Sequence, residues 1–190
     1  ILSRLNTLHR EAYVPAAYQS MAFADIEIPL NAKSKMWSPK MQARVVQDLG
    51  LRPDDVVVEV GTGSGYPTAL MASLCKQVLS YEIDPELASQ ARAHLAHSPN
   101  VTVRNEDGLK ATFSVKPTVL VLTGAIDALP AACVAQLAEQ ARMFAVVGAA
   151  PVMRATLFSR DDAQDFQTKV LFETVIESLS APATPKKFSL

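Results

Sequence analysis

Several features that mark large protein classes are scarce in this chain. It has two cysteines in 190 residues, Cys75 and Cys133, and they form no C-x-x-C pair. That excludes a disulfide framework or a thiol-ligated zinc module as the organising principle. Both thiols fall in apolar, helix-like stretches and are expected to be buried in a reduced compartment. Charge of one sign is equally lacking: 18 basic against 19 acidic residues leave a net charge of −1. No basic run announces a nucleic-acid surface. No stretch approaches the roughly 18 consecutive apolar residues of a membrane span, and no basic-then-apolar leader precedes the first helix-like segment. The expectation is a cytoplasmic protein with neither nucleic acid nor membrane as partner. The sequence opens on Ile1 in place of methionine, so some natural N-terminal residues are expected to be missing.

Glycine is scarce too, yet three of the seven lie within five residues, at Gly61, Gly63 and Gly65. They follow the apolar run Val56-Val57-Val58-Glu59-Val60 and precede the helix-like Ala69-Leu70-Met71-Ala72. A strand entering a glycine turn and then a helix suits a nucleotide. Glycine allows the tight turn and a close approach to the backbone, and the helix start offers unpaired N–H groups. A dinucleotide fingerprint needs a third glycine where Tyr66 stands. Glu59-x-Gly61-x-Gly63-x-Gly65 instead resembles the S-adenosylmethionine-dependent methyltransferases of the Rossmann-like class. Glu82 closes the next apolar run, 21 positions after Gly61, where a carboxylate can accept from both ribose hydroxyls. Thr62, within the turn, and Ile83, beside Glu82, join the candidate donor-binding residues.

The organisation fits one compact domain, with a cap segment over residues 1–50 and a core over 51–190. At 49% hydrophobic the chain can bury a substantial core. Strand-like runs at 56–60, 78–83, 101–104 and 118–123 alternate with helix-like segments, which predicts an α/β, doubly wound and mostly parallel sheet. Asp84 as N-cap and Pro85 at the first helical position predict a helix to His97, with Leu87, Ala88, Ala91 and Leu95 on one face. Leu129, Cys133, Val134 and Leu137 predict another. After a strand at 143–147, runs at 152–159 and 169–176 flank the polar stretch Arg160 to Asp165 and read as an antiparallel hairpin at the sheet edge. Upstream, Ser38, Pro39, Met41, Val45 and Leu49 predict a helix ending at Gly50, and this N-terminal helical cap is expected to cover the donor site. The tail from Ala181 reads as extended.

Tyr13-Val14-Pro15, Asp25 to Leu30, the proline-led helix at 39, Glu59 to Tyr66 and Asp107-Gly108 together resemble the protein-L-isoaspartate O-methyltransferase family over nearly the whole chain. The resemblance implies S-adenosylmethionine as donor, S-adenosylhomocysteine as product, and methyl esterification of isoaspartyl carboxylates in damaged proteins. By position, it implies that Gly61, Gly63 and Gly65 line the donor, Glu82 holds the ribose and Asp107 with Gly108 faces the adenine. Thr123 and Gly124 would lie beside the transferring methyl. The chain also departs from the pattern. Trp37 stands where the family's T-I-S-x-P serine is expected, with Ser38 one position later as a candidate catalytic hydroxyl or an N-cap. The family's G-H-G-like loop is replaced by Asn31-Ala32-Lys33. Thr118 replaces an aspartate, and Glu139-Gln140-Ala141-Arg142 replaces a P-G-G-R turn. These changes bear on the acceptor, which is an isoaspartyl carboxylate in a protein or peptide, or an unidentified small acceptor.

Methyl transfer from a sulfonium to a carboxylate needs no general base, because a carboxylate with pKa about 4 is already ionised at neutral pH. Positioning can then supply much of the acceleration. Lys33, Lys35 and the Trp37 indole are candidate donors to the acceptor carboxylate. His94 and His97 lie three apart on a helix but lack a third ligand at suitable spacing, so no metal is expected. The competing class is a catalytically inactive homologue that keeps the donor pocket for binding or structure. A nicotinamide oxidoreductase is disfavoured by Tyr66.

Overall fold

The computed structural model describes residues 1–160 and 166–179. The chain opens with α1 (Leu2–Thr7) and two 3-10 turns, Arg10–Tyr13 and Ala16–Met21. Two short antiparallel strands follow, β1 (Ile28–Pro29) and β2 (Lys35–Met36). The predicted helix is α2 (Pro39–Leu49). Ser38 is its N-cap, proline stands in its first turn, and Gly50 takes a left-handed conformation (φ 56°) at its C-cap.

Strand β3 (Val56–Val60), helix α3 (Tyr66–Ala72), strand β4 (Gln77–Glu82), helix α4 (Pro85–His94) and strand β5 (Val101–Asn105) continue in the predicted alternation. They are followed by β6 (Val119–Ile126), the short α5 (Ala131–Val134) and three strands, β7 (Arg142–Ala149), β8 (Val152–Ser159) and β9 (Gln167–Thr174). The seven-stranded sheet has the order β5-β4-β3-β6-β7-β8-β9. Pairings from β5 through β7 are parallel, and those of β7 with β8 and β8 with β9 are antiparallel. The β8/β9 pair is the expected hairpin; most of its polar connection, 161–165, and the tail from Ala181 lie outside the described residues. Val57, Val58, Val119, Leu120 and Val78 are fully buried, as strands covered on both faces require.

Two layers of apolar side chains cover the sheet. One, around Leu70, Val45, Trp37 and Phe144, lies under α2, α3 and the N-terminal segment. The other, around Tyr81, Leu120, Cys133 and Met143, lies on the opposite face. Helix α4 keeps the predicted face: Leu87, Ala88, Ala91 and Leu95 are buried, and Asp84 accepts from the N–H groups of Glu86 and Leu87. The stripe from Leu129 to Leu137 forms only the single α-turn of α5. Its continuation tightens, with Gln136 and Leu137 bonding three residues back, while Ala138 N–H goes to Pro117 and Gln136 Oε1 accepts from Phe113 N–H. Tertiary hydrogen bonds there outcompete the helical ladder, yet Cys133 and Leu137 still reach the core.

The chain departures found in the sequence serve the framework. Thr118 Oγ1 donates to Asp55 Oδ1 (2.8 Å) and accepts from Val56 N–H (3.0 Å), while Asp55 also holds Arg142 and the Arg52 N–H. In the turn that lacks glycines, the carbonyls of Ala138 and Glu139 accept from the Arg160 guanidinium at 2.9 Å each.

Candidate active site

The parallel strands run outward from a switch point: β3 is followed on one side by β4 and β5 and on the other by β6. In such sheets the crevice at the carboxyl ends of the strands is where ligands bind. A cleft lies there, walled by Gly61 to Ser64, by Glu82 and Ile83, by Asp107 and Gly108, and by Thr123 and Gly124. The opposite wall comes from Leu30, the 33–37 stretch, Gln42 and residues 176–179.

A buried polar network holds the glycine turn. Glu59 is wholly buried, and its Oε2 accepts from Thr68 Oγ1 and Ser80 Oγ at 2.6 Å each. Because Ser80 gives its proton to the carboxylate, the Thr62 hydroxyl, 2.6 Å from Ser80 Oγ, is the donor in that contact. One directed chain of hydrogen bonds thus ties the turn to β3, β4 and α3. Desolvation, with a smaller contribution from the Glu82 charge, raises the Glu59 pKa to about 7 despite the opposing effect of its two hydrogen bonds. Beyond the turn, the His94 ring meets the Ser64 carbonyl at 2.9 Å, so this histidine supports the loop.

Glu82 sits at the tip of β4 with Oε2 accepting from Gly63 N–H (2.8 Å) and Oε1 from Asp84 N–H (3.0 Å). Each oxygen keeps further acceptor capacity. Asp107 accepts from Leu109 N–H through Oδ1 and meets Lys110 Nζ at 2.8 Å through Oδ2.

Around Thr123 the β6/β7 register shifts between Val121 and Ala125. The bulge releases Thr123 and Gly124 from the ladder. Thr123 Oγ1 donates toward the carbonyls of Gly61 (2.5 Å) and Val60 (3.0 Å). A Cβ added at Gly61 would stand 2.1 Å from that hydroxyl, on a backbone with φ of +96°. This is a close approach that only glycine permits. On the far side of the bulge, Ala125 N–H donates to Glu177 O and Leu179 N–H to Ala125 O, 2.9 Å each, bringing residues 176–179 into the wall.

The opposite wall is tied through charges. Lys35 Nζ lies 2.7 Å from Glu177 and 3.8 Å from Glu27. Its pKa is raised by the hydrogen bond and charge of Glu177, whereas that of Glu27 is raised by burial. The Asn31-Ala32-Lys33 turn is closed by Asn31 Oδ1, which accepts from the N–H groups of Lys33 and Ser34, and Asn31 Nδ2 reaches Asp84 at 3.0 Å. Behind this wall, Arg10 is 1% exposed. It donates to Gln42 Oε1 (2.9 Å), to Trp37 O (2.8 Å) and to Ala22 O. Burial pushes its pKa down.

Of the residues named from sequence, Gly61, Thr62, Gly63, Glu82, Ile83, Asp107, Gly108 and Thr123 share the cleft wall. Glu59 and Gly65 lie outside that wall: Glu59 is behind the turn, and Gly65 is the N-cap of α3. Ser38 also lies outside it, and its Oγ accepts from Met41 N–H at 3.4 Å as the α2 cap. The buried Trp37 ring packs edge-on against Phe144, with centroids 5.9 Å apart. Sequence reasoning missed Gln42, Arg10 and residues 176–179. Gln42 had a signal, since Gln42, Val45, Val46 and Leu49 are the buried face of α2, with an amide in its first place.

The sheet order, the acidic strand tips and the glycine turn define a Rossmann-like methyltransferase. The family model described as protein-L-isoaspartate(D-aspartate) O-methyltransferase matches residues 1–180. The chain therefore belongs to the protein-L-isoaspartate O-methyltransferase family. A protein-L-isoaspartate O-methyltransferase of Koribacter versatilis is 35% identical over 170 residues, covering 88% of this chain and 76% of that protein. Protein-L-isoaspartate O-methyltransferase 1 of an Anaeromyxobacter species is 38% identical over 178 residues, covering 90% and 84%. Among solved structures, one described as the Plasmodium falciparum protein-L-isoaspartate O-methyltransferase in complex with S-adenosyl-L-homocysteine superposes with a TM-score of 0.78. It covers 94% of this chain and 88% of that one at 16% identity, a likeness of fold.

Proposed function

We propose that this chain transfers the methyl group of S-adenosylmethionine to the free α-carboxylate of L-isoaspartyl residues in proteins and peptides. The observation that carries this reading is the cleft itself. The glycine turn, Glu82 and Asp107 converge on one wall, and a polar cap faces them across the strand ends. The donor supplies an electrophilic methyl on a sulfonium. The residues suited to hold it are Gly61 to Gly63 through backbone approach, Glu82 through spare acceptor capacity toward two hydroxyls, and Asp107 with Gly108 at the neighbouring strand end. Thr123 fixes the turn through the Gly61 carbonyl. Carboxylates outnumber lysines in the wall, with Glu27, Glu82, Glu106, Asp107 and Glu177 against Lys33 and Lys35, which favours a cationic ligand.

No group in the cleft has to remove a proton from the acceptor, which arrives ionised. The chain's work is to bind both partners, exclude water and hold one carboxylate oxygen in line with the methyl. With its oxygen engaged as a cap, Ser38 is a structural residue in this reading. Both cysteines are free and buried, in keeping with a reduced, cytoplasmic setting. No described helix is long and apolar enough to cross a membrane.

The test is methyl-ester formation on an isoaspartyl peptide against its aspartyl counterpart, together with calorimetric titration of S-adenosylhomocysteine into the native chain and Glu82→Ala. Esterification of the isoaspartyl peptide alone, with product binding weakened roughly 10- to 100-fold in the variant, is expected from loss of hydrogen bonds to a charged acceptor. The second reading is an inactive homologue, favoured by Trp37 where the family serine is expected. Tight product binding without ester formation would establish it.

A further inference from the structure

Gln42 is fully buried in α2, lies in the cleft wall, and has an Nε2 with no hydrogen-bond partner among the described residues. Which end of the amide is nitrogen is settled by its neighbour. Arg10 Nε approaches one end at 2.9 Å, and a guanidinium can only donate, so that end is the oxygen. The NH2 group, with two protons to give, is left over. A buried donor without an acceptor is costly, and native proteins rarely keep one unless something else satisfies it.

Arg10 cannot be a casual neighbour. It is held by the Ala22 and Trp37 carbonyls as well, so it clamps the amide in one orientation. Of the two lysines on the same wall, Lys33 and Lys35, the second is committed, being paired with Glu177 and Glu27. A neutral amide has a chemical merit for this transfer: it can hold one oxygen of a carboxylate without the ion pairing that would blunt the nucleophilicity of the other.

We infer that Gln42 Nε2 is a carboxylate-binding donor of the cleft, oriented by Arg10, and that it takes over the hydrogen bond a hydroxyl at position 37 would have offered. The inference rests on the methyltransferase reading. Two carboxylates could occupy it, the methyl-accepting α-carboxylate of the isoaspartyl residue and the amino-acid end of the methyl donor, and their chemistry at this point is the same.

Gln42→Glu decides the matter with little change of shape. It keeps the length of the side chain and gives Arg10 a carboxylate oxygen to hold, while the donor nitrogen becomes an oxygen that can only accept. Gln42→Met, apolar and of similar length, serves as the second variant and decides alone if the first melts below the assay temperature. For each, the melting midpoint, the calorimetric affinity for S-adenosylhomocysteine, and kcat and KM on an isoaspartyl peptide are measured. The expected loss is roughly 10-fold for Gln42→Met and about 100-fold for Gln42→Glu, where repulsion adds to the missing bond to a charged group. A raised peptide KM with product affinity unchanged places the acceptor carboxylate on Gln42. An equal loss in product affinity places the donor's carboxylate there. Native values within twofold in both measurements, in folded variants, overturn the inference. If the native chain esterifies no isoaspartyl peptide, the proposed activity fails on its own account. Product affinity then decides Gln42, and an unchanged value overturns its role.

Discussion

The two walls of the cleft are built on different principles. The donor wall is centred on one turn, Gly61 to Ser64, with the strand ends at Glu82, Asp107 and Thr123 beside it, and the network behind the turn, from Glu59 to Thr68 and Ser80, has buried and short hydrogen bonds. The facing wall gathers pieces from distant places, Leu30, the 33–37 stretch, Gln42 and residues 176–179, with Arg10 and Ala22 behind it. Part of it is fastened by an ion pair whose lysine side chain is 41% exposed. Such a wall tolerates change piece by piece, whereas the donor wall fails as a unit. That is consistent with where this chain departs from its family's pattern, at Asn31 to Lys33 and at Trp37, while the glycine turn is retained.

The contrast can be broken most sharply at Arg10, the buried clamp behind the facing wall. Arg10→Met leaves Gln42 Oε1 and the Trp37 and Ala22 carbonyls without their donor, and should cost about 3–5 kcal/mol in denaturant unfolding. A cost below about 1 kcal/mol would show that the clamp is dispensable.

On the donor wall, the network can be titrated. Glu59 holds its proton more tightly when folded, with a pKa of about 7 against an ordinary 4.5. The folded state therefore binds more protons between those values. Stability is full below the unfolded value, falls as pH rises through about 7, and then levels. At about 1.4 kcal/mol per unit, the contribution is on the order of 3 kcal/mol. Glu59→Gln, which still accepts from Thr68 and Ser80, should flatten this slope. Parallel slopes for variant and native chain across pH 5 to about 8 would sink the idea.

A smaller effect, about 2 kcal/mol with at least a 10-fold loss of S-adenosylhomocysteine affinity, is expected for Gly61→Ala, because the new methyl meets Thr123 Oγ1 on a positive-φ backbone. Adding Thr123→Ala removes that oxygen and should recover part of the loss. If it recovers none, the strain lies in the backbone or against Leu179, whose Cδ1 the new methyl meets at 3.2 Å. The least effect belongs to Lys35→Ala, below about 1 kcal/mol in stability and weaker still in high salt, as for exposed ion pairs.

The same contrast explains what could be read from the sequence. The strands and the glycine turn announce themselves because their signals are local: apolar runs of five or so residues, a proline-led helix, glycines at fixed spacing. Asp84 and Gly50 were legible as caps for the same reason. The α5 stripe misled because its apolar period is real while its backbone is claimed by Pro117 and Phe113, partners distant in sequence. Buried Arg10 carried no local sign at all, since a charge is unremarkable in a polar N-terminal stretch until three distant acceptors enclose it. Residues 176–179 enter the wall through backbone bonds to Ala125, which no side-chain pattern encodes.

Arg10 also gives the N-terminal region a mechanical property. Phe23 is 70% exposed and lies between Ala22 and Trp37, whose carbonyls Arg10 holds together. A chain cleaved after Phe23 by a protease that favours aromatic residues would keep its first piece clasped to the second through Trp37 and Gln42. Such a nicked protein should run as two bands under denaturing conditions and elute as one species in native gel filtration. In the Arg10→Met background the short piece should be lost.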